Sequence, residues 1–206
     1  MNNKLKTVVF VIIAVLLGGL FIIRYITPKS SYVQESITDT TLINALDNDA
    51  QAALKSYFDI EVNTEEGWIK GAVRNRAKEG SNLENIVSLT AKNESENKEE
   101  GALTFYSIIM VEETKEIRGV IYECVTNAPV ISLTDNEIKA RCEAFLKDKG
   151  LVPRETMLTS ELLPADDKTP ALRMVTMKTD DSTYVVAYHL QLQQVMYFEF
   201  VPVQAQ

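Results

Sequence analysis

Apolar positions along this chain follow three patterns in turn. The first is a continuous run, TVVFVIIAVLLGGLFII from Thr7 to Ile23, seventeen residues without a charge. A helix needs about 20 residues to cross a bilayer, and Tyr25 and Ile26 extend the run past Arg24, a side chain able to snorkel to the interface. The flank RYITPKSSYV offers no small-residue cleavage site and no cysteine follows it, so the pattern predicts an uncleaved anchor over Thr7–Ile26 rather than a removed signal. Lys4 and Lys6 nearly balance Arg24 and Lys29, which leaves orientation to the layout. A short tail, 1–6, before a large domain predicts a single-pass cell-membrane protein with a cytoplasmic N-terminus and everything after the span outside.

The second pattern has helical spacing. After a polar stretch, 27–38, that reads as a linker, Leu42, Leu46, Ala50, Ala53, Leu54, Tyr57 and Phe58 form one apolar stripe between Asp39 and Phe58, with Asp47, Asn48, Gln51 and Lys55 between them. A second helix is announced by SLTDNEIKARCEAFLKDKG. Thr134 and Glu137 have the spacing of a capping box, Leu133 and Ile138 that of a hydrophobic staple, and Gly150 that of a left-handed stop. Its buried stripe is Ile138, Cys142, Phe145 and Leu146.

The third pattern has a period of two. Trp68 to Val73 suits a hairpin-like strand, with a short helix as its competitor. LENIVSLTAK, ALTFYSIIMVEE and EIRGVIYECV then read as three antiparallel strands joined by KNESENKEEG and by a tight ETKE turn. Past the second helix, strands are expected at Glu155 to Leu163, Ala171 to Lys178, Thr183 to Gln191 and Val195 to Val201, with DDKTP and TDDS as turns. The chain thus states one theme twice, an amphipathic helix followed by an antiparallel meander, and two such units or one continuous sheet with two helices would account for it. The fold class predicted is α+β, an N-terminal transmembrane helix followed by two amphipathic helices packed on antiparallel meander sheets. The expected divisions are a tail 1–6, an anchor 7–26, a linker 27–38, a first helix-plus-sheet unit 39–127 and a second 128–206.

Charge narrows the choice of partner. The whole chain carries a formal charge of −8, and residues beyond 29 hold 17 basic against 29 acidic side chains. Nucleic acid needs the opposite sign and is not expected as a partner. Two cysteines, Cys124 and Cys142, are too few for a disulfide scaffold, and whether they form one bridge or two buried thiols stays open.

Catalytic candidates are sparse. The one histidine, His189, lies on a strand without an evident oriented partner, and Asp47 with Asp49 falls inside a helical pattern rather than a calcium loop. The acid pairs Asp166–Asp167 and Asp180–Asp181 fall in turns, where aspartate is favoured for backbone reasons. No catalytic residue, metal ligand or cofactor is assigned, and a non-enzyme is expected. The stretch VISLTDNEIKARCEAFLKDKGLV and the meander after it resemble the PepSY-type and cystatin-like modules of single-span bacterial envelope proteins. That resemblance implies protein binding, of an envelope peptidase or another envelope enzyme; the alternative is a structural subunit of a secretion, conjugation or spore-envelope assembly. The partner expected is therefore another envelope protein or a second copy. The candidate docking edge is the C-terminal strand VMYFEFVPVQ, with Tyr197, Phe198 and Phe200, because Pro202 ends it as on an edge strand.

Overall fold

The computed structural model describes residues 32–62, 67–94, 99–165 and 169–202. Helix α1, Thr40–Phe58, starts where the Asp39 carboxylate accepts from the Thr41 amide at 2.8 Å, and it stops at Asp59, whose φ of 59° places it in the left-handed region. Helix α2, Asp135–Asp148, opens on a complete capping box: Glu137 accepts from the Thr134 amide at 2.8 Å and the Thr134 hydroxyl accepts from the Glu137 amide at 3.3 Å. It ends at Gly150, whose φ of 68° is readily adopted by glycine, while Leu151 donates back to the Leu146 carbonyl at 2.9 Å.

Nine strands complete the described chain: β1 Tyr32–Ile37, β2 Trp68–Ala77, β3 Ile86–Asn93, β4 Leu103–Val111, β5 Ile117–Cys124, β6 Thr159–Leu162, β7 Leu172–Lys178, β8 Ser182–His189 and β9 Gln194–Pro202. They form one antiparallel sheet in the order β1-β2-β3-β4-β5-β9-β8-β7-β6. Each helix therefore precedes a four-stranded meander, and the two meanders meet through their last strands. The seam is short. It pairs Gly119 with Glu199, Val120 with Phe198 and Ile121 with Tyr197.

This arrangement corrects the expected architecture. Of the two sheet arrangements left open, the described residues form one continuous sheet, over one shared hydrophobic cluster that includes Leu46 and Leu54 of α1, Ile138 and Leu146 of α2 and Phe198 of β9. Residues Tyr32–Ile37, read as part of a linker, form an edge strand in six-residue register with β2. The expected span Thr7–Ile26 lies outside the described residues, and among those described no helix is long and apolar enough to cross a membrane. The single-pass, signal-anchor and extracytoplasmic assignments thus have no support in the structure and are not carried forward.

Both helices lie on the same face. α1 packs over β2 to β5 and α2 over β6 to β9, and their C-terminal ends converge above the seam. Phe58 of α1 stacks on Phe145 of α2 with ring centroids 5.5 Å apart, and Phe198 lies beneath them, 4.7 Å from Tyr57 and 5.8 Å from Phe145. Tyr122 of β5 closes the group at 4.8 Å from Phe58. Such aromatic groups combine a large apolar area with preferred tilted and offset geometries.

Phe198→Ala should consequently cost about 3–5 kcal/mol, because the cavity opens where both helices and both meanders meet. Thr134→Ala should cost about 1 kcal/mol through loss of one cap. Urea unfolding of the two variants measures the difference, and equal costs would contradict the central role of Phe198.

Candidate partner interface

The candidate docking edge read from the sequence is corrected by the pairing. β9 is an interior strand, bonded to β5 on one side and to β8 on the other, and Phe198 is fully buried. Pro202 is compatible with this position because it pairs with Ser182 at the very end of the strand, beyond Glu199, the last β9 residue on the β5 register. Phe200 stacks on Tyr184 at 5.6 Å and lies under the Arg118 guanidinium at 4.9 Å, while Tyr197 turns to the face opposite the helices.

Among the described residues the sheet ends at β1 and β6. β6 is four residues long and carries the exposed Thr159 and Glu161, features that blunt an edge. β1 is longer and differently built. Ile37 is its anchor in the core, whereas Val33, Gln34, Glu35 and Ser36 are all exposed, so four consecutive residues are solvated on both faces of the strand. Val33 is 50% exposed. β1 is held to β2 by backbone pairing and by an ion pair of 2.9 Å between Glu35 and Arg76. An exposed pair of this kind contributes little stability, so the strand depends on its ladder and on Ile37.

The groups that could do chemistry are mostly engaged in structure. His189 uses Nδ1 to accept from the Leu192 amide at 3.2 Å in the turn between β8 and β9, and burial pushes its pKa down. Cys124 and Cys142 are free thiols; burial pushes Cys142 up to about 12 and raises Cys124, with a further contribution from Glu123, so neither has thiolate character near neutrality. Asp181 accepts from the Thr179 hydroxyl at 2.6 Å within its turn, and Asp166–Asp167 lie outside the described residues.

Two buried carboxyl groups went unrecognised in the sequence. Asp47, 3% exposed beneath α1, accepts from the Tyr106 hydroxyl at 2.5 Å, from Gln51 at 2.8 Å and from Lys70 at 2.7 Å. Three donors replace the water it has lost, and together they fix α1 over β2 and β4. Glu199, also 3% exposed, has a different environment. The Tyr197 hydroxyl donates to it at 2.5 Å, its cross-strand neighbours are Gly119 and Val185, and burial pushes its pKa up to about 7, against a smaller lowering by the Tyr197 bond. Tyr197 itself is raised well above the ordinary tyrosine range by the same burial and by the adjacent carboxyl. A glycine in the interior of a strand, which marks a place of close approach, was the available signal.

A Cβ on Gly119 would lie 3.1 Å from the Phe198 carbonyl oxygen and 3.3 Å from Glu199 Cβ. Gly119→Ala is therefore expected to press the seam apart and destabilise the fold by about 1–3 kcal/mol in chemical denaturation; a neutral result would mean that the seam has slack.

Glu199 also sets a pH dependence. The unfolded chain releases this proton near the ordinary value of 4.5 and the folded chain near 7, so the unfolded state binds fewer protons in between. Stability from this group is full below about 4.5, falls as pH rises and levels off above about 7, a loss of roughly 2–4 kcal/mol. Urea titrations of the wild type and Glu199→Gln across that range should show this slope in the first and its removal in the second. Comparison of the chain with protein-family profiles, with curated proteins and with solved structures gives no match, so function is argued from the geometry above.

Proposed function

We propose that this protein is a protein-binding module that takes up an extended segment of a partner along the outer edge of β1. The observation that supports the reading is the run Val33 to Ser36, exposed on both faces of an edge strand that is nevertheless held in register by β2. A partner strand laid beside β1 would satisfy its outward amide and carbonyl groups and cover part of both faces. Main-chain pairing would supply affinity, and Val33 with its neighbours would supply side-chain selection. A chain of formal charge −8 favours a partner with a basic surface through long-range steering. In this reading the protein acts as a modulator of another protein rather than as a catalyst.

The test places a photo-crosslinking side chain at Gln34, and separately at Glu161 on β6, in the full-length chain. Adducts with one dominant protein at Gln34 and none at Glu161 are expected, with β1 amides gaining hydrogen-exchange protection in the complex. Val33→Lys should reduce the adduct about tenfold while folding stability stays within about 0.5 kcal/mol. Equal yields at both positions would sink the proposal, and adducts between two copies of the chain would replace it with edge-to-edge self-association.

A further inference from the structure

Among the described residues, the three residue pairs of the β5–β9 seam are the sheet's only strand pairing between its halves, whereas β8 and β9 share eight pairs. One of the three contains a carboxyl group, Glu199. Phe198 and Val120 face the helices, so Glu199, Gly119, Tyr197 and Ile121 face the other way, on the side that carries neither helix. Glu199 is nonetheless 3% exposed. Its side chain lies over Gly119, the Cβ and Cγ atoms being 3.3 and 3.4 Å from where a Cβ of residue 119 would stand, so the glycine is the cradle that lets the carboxyl lie flat against β5.

The groups facing this carboxyl are few. β5 presents Gly119 and Ile121, β8 presents Val185 and Ala187, and none of these ionises. β9 contributes Tyr197, which donates at 2.5 Å. Arg118, next to Gly119 in the chain, is committed to Glu84 at 2.6 Å and to Glu116 at 2.9 Å. Among these described neighbours no cation compensates an ionised Glu199, so a charged carboxyl there must recruit water, which works against its close pairing with Gly119.

We propose that the β5–β9 seam is a protonation-controlled joint: with Glu199 neutral the two halves of the sheet are locked together, and loss of its proton admits water and loosens the pairing of 119–121 with 197–199. The aromatic contacts on the helix side keep the halves together when the joint loosens, so the response is a local opening rather than unfolding. The raised pKa of Glu199 puts the transition near neutrality.

Hydrogen exchange of the full-length chain tests this, with rates corrected for the intrinsic effect of pH and compared at pH 5.5 and 8.5. Amides 119–121 and 197–199 should exchange at least about tenfold faster at the higher pH in the wild type, and within about twofold in Glu199→Gln. Carbon-13 NMR of the Glu199 carboxyl should show a midpoint far above 4.5, and Tyr197→Phe should move it higher still, because the tyrosine bond favours the ionised form. A flat exchange profile in the wild type, the same rise in Glu199→Gln, or a carboxyl titrating near 4.5 would overturn the proposal.

Discussion

Everything in this fold depends on closing the sheet between two strands that are distant in sequence. β5 ends the first meander and β9 ends the second, and their alignment brings Phe198 beneath the converging ends of both helices. Ordering the chain between them costs entropy that local pairing does not return, so the closure must be rewarded where it occurs. The reward is concentrated on the helix side, where Phe58, Phe145, Tyr122 and Phe198 exclude water together. Three backbone pairs alone would be a weak joint; three pairs under an aromatic cluster are a core.

The two buried carboxyl groups show how different the two faces are. Asp47 lies on the helix side, between α1 and the sheet, where three donors surround it and one of them is the Lys70 ammonium. With its oxygens satisfied by these donors, it serves as a polar fastener of the helix. Glu199 has one donor and apolar strand neighbours, so the same chemical group is pushed toward its neutral form. Both residues are equally withdrawn from solvent, and they differ in the number and charge of the donors around them.

What was legible in the sequence is what local chemistry determines. Thr134, Glu137 and Gly150 mark the ends of α2 because caps satisfy backbone groups within a few residues, and alternation located β4, β5, β7, β8 and β9 within a residue or two of their ends and β3 within three. β1 was missed because four of its six residues are solvated on both faces, which erases the alternation that identifies a strand. The seam was missed because strand partnership carries no periodic signal, and the same absence allowed β9, an aromatic strand ending in proline, to pass for an edge. Glu199 was hidden for a related reason: alternation assigns it to the face away from Phe198 and Phe200, where an acid is expected to be solvated, and only its pairing with Gly119 buries it.

The layout also separates the two properties inferred for the molecule. α1 packs over β2 to β5, with β1 reaching the core chiefly through Ile37, so a strand added outside β1 would extend the sheet without disturbing the packed cluster. The seam is four strands away in the sheet order, beneath the junction of the helices. A twisted antiparallel sheet transmits strain through its strand registers, and β2, β3 and β4 are paired over seven or more residues on each shared side, long enough to behave as one stiff element. Loosening at the seam would then change the relation of the two halves while leaving the docking edge intact, so partner capture at β1 and opening at Glu199 should respond to separate substitutions.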